Sequence, residues 1–353
     1  MNRTLTILFV LTLGNTFLLF SQSATPKPSD PISPGFMHVS NEQALFPNQE
    51  AVVQAAEARS GGVVTIPVVI HVIHRVPPQN ISDAQIHSQM DVLNEDYRRL
   101  NPDTTNTPAA FQGVAADTEI EFCLASQDPQ GNPTTGIVRT ATTVFAIGSE
   151  TYYSSAAGGS DAWDPERYLN IYVCEMSPGL IASTLVPQMP LADGDGIVIT
   201  PTAFGTTGNA QPPFNYGRVL TREVGLYLGL RSLVSLSCSD VDNIADTPTT
   251  DQFYVGCPTF PQTSCGSDDM FMNFMEATDG NCKNMFTIGQ AQFMHATLNS
   301  YRPGLATSIG CTAVGVEEGL SGPDFTVSPV PAHSEMRLDF AVPAGVGAEV
   351  ILF

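Results

Sequence analysis

Residues Thr221–Ser232 read TREVGLYLGLRS, and we predict that they form a helix that ends near Gly229. Positions 222 and 226 are four residues apart, so they lie on one face of such a helix. Glycine favours the left-handed backbone conformation in which many helices end. Taken alone, the stretch is typical of an ordinary core helix, and only the rest of the chain gives it a further meaning.

The spacing of this stretch matches the zinc-peptidase motif HExxHxxGxxH. In that motif the histidines bind zinc and the glutamate acts as general base on the bound water. Glu223 and Gly229 hold the glutamate and glycine positions, whereas the histidine positions hold Arg222, Leu226 and Ser232. Arginine stays protonated and has no lone pair to give, leucine has no donor atom, and serine is a poor ligand beside imidazole. The frame of a zinc-peptidase helix is present without its zinc ligands.

The composition is typical of a loop-rich, exported α/β protein. The chain of 353 residues is long enough for one large domain or two lobes, and it contains 29 glycines and 27 prolines. Its net charge is −21, and its only lysines are Lys27 and Lys283. Such a surface repels phosphate backbones, which disfavours nucleic-acid binding, and it is compatible with calcium binding.

The amino-terminal residues predict export. Residues 1–21 form a secretory signal pattern, with Arg3 before the apolar core Leu5–Phe20. Asn15 and three threonines interrupt this core and no basic flank follows, so no membrane span is expected in the mature chain. Residues 22–60 are predicted to be a pro-segment or a flexible linker. Export permits disulfides, and the odd count of seven cysteines leaves at least one unpaired or paired outside the chain.

Hydrophobic patterns predict an α/β (α+β) fold in which a mixed, mostly parallel twisted sheet carries a backing helix and a second helix. The predicted strands are Val63–Ile73, Glu119–Ser126, Leu169–Glu175, Leu180–Pro187 and Gly196–Thr200. The predicted helices are Ser82–Leu100, Tyr216–Leu228 and Thr287–Leu298. We expect Ser82 and Gln85 to form a capping box at the start of the backing helix.

Three side chains on the predicted strands raise the question of metal binding. Cys123 and Cys174 are interpreted as small, buried apolar residues rather than ligands. His71 lies three residues before His74, and a strand places such residues on opposite faces, which disfavours a metal pair.

The region after the second helix is predicted to be a separate lower lobe. Residues 231–284 show little regular pattern and hold four cysteines, so disulfides are expected there. We place one domain at 61–304, with an upper lobe to about residue 229 and a lower lobe from 230 to 304. A linker at 305–323 and an incomplete carboxy-terminal β domain at 324–353 follow.

Several further motifs resemble those of the pappalysin-type metzincin peptidases, the group of ulilysin and pregnancy-associated plasma protein-A. The resemblance runs from about Ile66 to Arg302. Besides the helix at Leu220–Leu230, the matching segments are IPVVIHVI at 66–73, ISDAQIHSQMDVLNEDYRRL at 81–100, FCLASQDPQGNPTTGI at 122–137, IADTP at 244–248, NFME at 273–276 and FTIGQAQFM at 286–294.

This resemblance implies a metzincin-like fold, zinc metalloendopeptidase activity and a set of site residues. Glu223 stands at the position of the general base and is vestigial here, and Met275 stands in the Met-turn. Ala277 replaces a tyrosine that stabilises the oxyanion. The implied edge strand, which would hold an extended peptide, contains Leu180, Ser183 and Pro187.

The resemblance also implies a calcium loop and two crossed disulfides. The calcium ligands would be Asp242, Asp246 and the carbonyl of Thr247, and the alternative is a solvated acidic loop with a turn. The implied disulfides join Cys238 to Cys265 and Cys257 to Cys282.

The departures from the family motif predict a secreted homologue that has lost zinc and peptidase activity and keeps its cleft for a peptide or protein. Glu223 would then form an ion pair with Arg222 or Arg231. Two alternatives stay open, namely an active zinc metalloendopeptidase with a non-standard metal site and a structural or adhesive surface protein. Phe325–Ala332 resembles the start of the sorting domains of type-nine bacterial secretion, which implies a secreted or cell-surface location, although it also fits a fragment of any small β domain.

Overall fold

The structure is a computed structural model, and it describes residues 62–149, 151–185, 187, 190–235, 237–239, 242–312, 325–328 and 337–340. The predicted signal at 1–21, the pro-segment or linker at 22–60 and most of the predicted carboxy-terminal domain lie outside the described residues. No helix among the described residues is both long and apolar enough to cross a membrane.

The predicted strands and helices occur in the predicted order, most of them with shorter bounds, and further short elements lie between them. The strands are β1 Val64–His74, β2 Ala115–Ala116, β3 Ile120–Leu124, β4 Ile137–Ala141, β5 Leu169–Val173, β6 Ala182–Thr184, β7 Ile197–Ile199, β8 Thr263–Ser264, β9 Ser267–Asp268, β10 Phe286–Thr287, β11 Phe325–Ser328 and β12 Arg337–Phe340. The α-helices are α1 Asp83–Tyr97, α2 Ala109–Gln112, α3 Arg218–Tyr227, α4 Ile288–Tyr301 and α5 Pro303–Ala306. Short 3-10 turns occur at Pro77–Gln79, Pro102–Asn106, Ile147–Ser149, Ser155–Ala157, Pro201–Ala203 and Gly280–Cys282.

The main sheet is mixed and mostly parallel, as predicted. Its central strand β1 pairs in parallel with β5 on one side and with β3 and then β4 on the other. β7 extends the sheet in parallel beyond β5, and β6 closes that edge as an antiparallel strand. The predicted strand at 180–187 is thus reduced to three residues, so Leu180 and Pro187 lie outside it.

The two faces of the sheet are covered by different groups of residues. Ile66, Val68, Ile70 and Val72 of β1 are buried in the largest apolar cluster, which also contains residues of α1 and α3. The alternate side chains of a strand point to the opposite face. His71 on that face is fully buried and stacks on Tyr172 with ring centroids 4.6 Å apart.

Helix α1 starts as predicted but without a complete capping box. Ser82 Oγ accepts a hydrogen bond from the backbone N–H of Gln85 at 3.2 Å. The Gln85 side chain does not return to Ser82, because its amide donates to the carbonyl oxygens of Pro201 and Phe204 at 2.9 and 2.8 Å. A tertiary contact has replaced the second half of the predicted box.

The disulfides extend the domain beyond its predicted end. Cys238 is bonded to Cys265 and Cys257 to Cys282, which are the pairs that the resemblance implies. Cys123 is bonded to Cys311, so its interpretation as a small, buried apolar residue was wrong, whereas Cys174 is free and buried.

The carboxy-terminal boundary of the domain also shifts. The last two residues of helix α5 and Cys311 lie in the predicted linker at 305–323, and the side-chain amide of Gln127 donates to the carbonyl oxygen of Thr312 at 2.7 Å. The domain therefore continues at least to residue 312. Beyond it, β11 and β12 pair as an antiparallel hairpin within the predicted carboxy-terminal domain.

Candidate functional site

Helix α3 carries the motif positions and ends at Gly229, as predicted. The N–H of Leu230 donates to the carbonyl oxygen of Gly225 and the N–H of Gly229 to that of Leu226, both at 2.9 Å. This pair of bonds is a Schellman motif, which requires a left-handed residue, and Gly229 has φ of +89°. A side chain there would also approach Thr297 Oγ1 to 2.7 Å, so the turn needs glycine twice over.

The helix forms one wall of a solvent-open depression, which we call the cleft. Its lining residues are Ile181, Ala182, Pro213, Phe214, Tyr216, Arg218, Val219, Arg222, Glu223, Thr278, Asp279, Gly280 and Lys283. The edge strand β6, helix α3 and the loop after residue 277 therefore meet at this site.

Arg222 and Glu223 form an ion pair on the wall of the cleft. Arg222 Nη1 lies 3.5 Å from Glu223 Oε1, and both side chains are almost completely buried. The hydroxyl of Thr184, the last residue of β6, donates to Glu223 Oε2 at 2.6 Å. The ion pair predicted for Glu223 is present with Arg222, and the carboxylate is also tied to the edge strand.

The other two histidine positions of the motif do not line the cleft. Leu226 is buried in the largest apolar cluster. Ser232 is half-buried and lines a separate recess together with Asp242 and Pro248. The donor set at positions 222, 226 and 232 is thus a guanidinium, an alkyl group and a hydroxyl in another recess, and these residues do not fit a zinc ion.

Met275 lies directly beneath helix α3. Its side chain is fully buried, and a methyl group at Gly225 would lie 2.4 Å from its sulfur. The Asn273 side chain accepts a hydrogen bond from the Met275 N–H at 2.9 Å, and its amide exchanges bonds of 2.8 and 3.1 Å with that of Gln290. Ala277 is buried and has no hydroxyl to donate toward an oxyanion.

Sequence reasoning missed a second pair of charged side chains here, Lys283 and Glu276. Both are buried, and Lys283 lines the cleft. Burial, reinforced by the charge of Arg222, lowers the pKa of Lys283 to about 7. Burial raises the pKa of Glu276 to about 7, against the opposing effects of the Ala277 N–H and of the nearby cations. The rarity of lysine in this acidic chain was the available signal.

We call Arg222, Glu223, Glu276 and Lys283 the buried charge cluster. It holds two cationic and two acidic side chains in the part of the fold where the motif would place a metal. Behind it, Arg218 binds Asp96 at 3.1 Å and Asp103 at 2.6 Å. These ion pairs connect helix α3 to helix α1 and to the turn that follows it.

The predicted calcium residues lie near one another but already have protein donors. Asp242 accepts hydrogen bonds from Thr247 Oγ1 at 2.7 and 2.9 Å. Asp246 accepts from Thr287 Oγ1 at 2.7 Å and from the N–H of Gly289 at 2.8 Å. The Asp246 carboxylate therefore caps the first turn of α4, where a negative charge is favoured by the helix dipole.

Two other groups of side chains contain residue types that are common in metal or catalytic sites, but neither group has the chemical form that such a site needs. Cys238, Asp251 and Cys265 place ligand atoms within 4.8 Å of one another, but their sulfurs are joined in a disulfide and offer no thiolate. His71 bonds Ser160 Oγ at 2.8 Å and Asn170 Oδ1 at 3.0 Å. Burial lowers the pKa of His71 to about 4, which keeps the ring neutral inside the sheet.

The fold is that of the metzincin-like metallopeptidases. The sequence pattern of the pregnancy-associated plasma protein-A peptidase family matches residues 153–299. An extracellular metalloprotease of Arthroderma benhamiae is 28% identical over 263 residues, which cover 71% of this chain and 83% of that protein. An extracellular metalloprotease of Colletotrichum graminicola is 27% identical over 304 residues, which cover 83% of this chain and 95% of that protein.

Solved structures support the same assignment. Mature mirolysin of Tannerella forsythia, solved in complex with a cleaved peptide, is 42% identical with a TM-score of 0.67, and the match covers 71% of this chain and 97% of mirolysin. A promirolysin mutant of the same organism is 40% identical with a TM-score of 0.68, and the match covers 74% of this chain and 90% of promirolysin. The chain belongs to the pregnancy-associated plasma protein-A, or pappalysin, family of metallopeptidases.

Proposed function

We propose that this chain is a secreted pappalysin-family protein that binds no catalytic zinc, cleaves no peptide, and keeps its cleft to bind an extended peptide segment. The observation that carries the proposal is the Arg222–Glu223 ion pair. The side chain at the first ligand position is a permanent cation, and it engages the carboxylate that would otherwise act as general base.

Glu223 has no other means of activating water in this setting. A metal lowers the pKa of bound water by many units, and a carboxylate held by a guanidinium and a hydroxyl does not replace that effect. In the buried charge cluster the charge of Glu223 is instead offset by Arg222, and Lys283 and Glu276 both have pKa values of about 7. Ala277 removes the group that would stabilise an oxyanion.

Peptide binding is supported by the position of β6 at the edge of the sheet. The N–H of Thr200 donates to Ile181 O at 2.9 Å, and the N–H of Leu185 donates to Gly196 O at 3.4 Å. Because antiparallel pairing alternates, the backbone groups of Ser183 face β7, and those of Ala182 and Thr184 face the edge. An extended peptide could add to that edge through main-chain hydrogen bonds.

Metal analysis tests the loss of zinc. We expect the purified protein, dialysed against excess zinc and then against buffer, to retain far less than one zinc per chain. It should also leave a library of quenched peptides uncut. One tightly held zinc per chain, or cleavage that a chelator abolishes, would instead support a peptidase with a non-standard metal site.

Peptide binding is tested with matched ligands. Extended peptides selected from a library are compared with versions N-methylated at alternate residues, which keep the side chains and lose the main-chain donors. We expect methylation to weaken binding at least tenfold in one register and little in the other. Failure of every extended peptide to bind would favour a structural or adhesive role.

Restoring the motif tests whether the defect is confined to the ligands. The variant combines Arg222→His, Leu226→His, Ser232→His and Ala277→Tyr, and a second version adds Glu223→Ala. Positions 222 and 226 already share a helix face, so we expect zinc to bind there first. Ser232 lies in a separate recess, so we expect the third ligand to contribute little and cleavage to stay slow.

Calcium binding and the route of secretion stay predictions. A calcium ion would have to displace the donors from Asp242 and Asp246, so we propose at most a weak site, tested by the shift in melting temperature when calcium is added to chelated protein. Secretion is supported by relatives named extracellular metalloproteases, and we propose that it uses the 1–21 signal with a type-nine sorting segment. A fusion of residues 324–353 to a reporter tests that segment.

A further inference from the structure

The cleft contains a buried lysine. Lys283 is 4% exposed and is one of the residues that line the cleft. No carboxylate in the described part of the chain lies within 4.0 Å of its ammonium as an ion-pair partner. Its backbone is fixed, because its carbonyl oxygen accepts a hydrogen bond from Arg218 Nη1 at 2.5 Å and the preceding residue is disulfide-bonded.

The charges that face this amine come from two elements. Helix α3 supplies Arg218, Arg222 and Glu223, and the segment before the lysine supplies Glu276. The two guanidinium groups disfavour the ammonium form and the two carboxylates favour it, while burial disfavours it most. The result is a lysine with a large neutral fraction near pH 7, in contrast to an ordinary surface lysine.

The opposite walls of the cleft are apolar. Ile181 comes from the segment leading into β6, Pro213 and Phe214 precede helix α3, and Val219 lies on its first turn. A ligand that reaches the amine would therefore bury a hydrocarbon group against these side chains. The combination of a desolvated amine and an apolar wall suits an aldehyde with an alkyl or aryl tail.

We propose that Lys283 is a nucleophilic amine through which the cleft binds aldehydes covalently as imines. The neutral amine attacks the carbonyl carbon, a C–N bond forms, and the C=O electron pair moves to oxygen, which takes up the proton that nitrogen loses. The carbinolamine then releases water, and a C=N bond remains. Amine and aldehyde give imine and water with no oxidant or reductant. This site is independent of zinc and lies beside the proposed peptide edge.

The chain offers an internal control, because Lys27 is its only other lysine. A chain that begins at residue 22, and so keeps Lys27, is treated with a low concentration of butanal and with cyanoborohydride, and the alkylated residues are quantified by peptide mapping. The neutral fraction of an amine with pKa about 7 exceeds that of an ordinary lysine about 1,000-fold at pH 7. Since a less basic amine is also a weaker nucleophile, we expect alkylation at Lys283 to be about 100-fold faster.

Two further measurements separate a site from a merely accessible lysine. The rate at Lys283 should saturate with butanal and should be higher for butanal than for acetaldehyde, whereas Lys27 should show neither effect. The pH midpoint of labelling should rise in Arg222→Met, because a neighbouring cation is removed, and Lys283→Arg should lose the label.

The outcomes are distinct from those of the metal analysis. Labelling of Lys27 without Lys283, equal rates at the two lysines, or a midpoint unchanged by Arg222→Met would overturn the proposal. Each of these results can occur whether or not the protein holds zinc. A wild-type protein suffices for the first comparison, so the test does not depend on the folding of a variant.

Discussion

The Glu223 carboxylate should be essential for stability, because it pairs with a buried guanidinium. Glu223→Ala leaves Arg222 and Lys283 buried beside Glu276 and removes the carboxylate that accepts from the Thr184 hydroxyl. Removing one partner of a buried ion pair costs about 3 to 5 kcal/mol, because the other charge stays buried. For a domain of this size, about 1 kcal/mol shifts the melting temperature by about 2–4 °C, so we expect a fall of about 10 °C.

A double-mutant cycle separates the ion pair from lost packing. Arg222→Met and Glu223→Gln are each made alone and then together, and the glutamine keeps the volume of the side chain and a hydrogen bond for Thr184. Replacing both partners of a buried ion pair by uncharged side chains often changes stability little. We therefore expect the double variant to lose about 2 kcal/mol less than the sum of the losses in the two single variants. Thermal and urea unfolding give the four free energies. Additivity within about 0.5 kcal/mol, or an unchanged melting temperature for Glu223→Ala, would refute this reasoning.

Three further predictions concern the rest of the domain. The pKa of His71 in the folded chain is about 4, so between about pH 6.5 and 4 the unfolded chain binds a proton that the folded chain does not. The free energy of unfolding should therefore fall by up to about 3 kcal/mol between pH 6.5 and 4. Urea titrations of His71→Gln should show a smaller fall. Replacing Cys123 and Cys311 by alanine opens a loop of 188 residues and should cost about 5 kcal/mol in denaturant unfolding. Gly225→Ala should destabilise by about 1–2 kcal/mol through overpacking on Met275, although alanine is the better helix former, and a higher melting temperature would contradict this close packing.

Much of the domain could be predicted because its elements are encoded locally. The β-branched run of β1, the apolar stripe of α1 and the glycine after α3 each specify a backbone geometry within a few residues. The ends of these elements depend on tertiary contacts and could not be predicted from local patterns. β6 is three residues long because its continuation depends on pairing with β7, which no local pattern encodes.

The loss of the zinc ligands was also evident without a structure. Arginine and leucine at positions 222 and 226 lack donor atoms whatever the fold, since this property belongs to the side chains themselves. The disulfide pairs of the lower lobe followed from a family resemblance, because four cysteines alone permit three pairings. The Cys123–Cys311 bond joins strand β3 to the segment after helix α5 and had no local signal.

The sequence by itself therefore determined the family, the main elements and the replacement of histidine at positions 222, 226 and 232, which depend on residue types and their spacing. Only the tertiary structure decided which residues meet in the cleft. It placed Ser232 in a separate recess, Thr184 against Glu223, and Lys283 among buried charges. These relations join segments tens of residues apart. Burial then sets the charge states of Lys283 and Glu276, and desolvation is a property of the packed surroundings that a linear sequence does not contain.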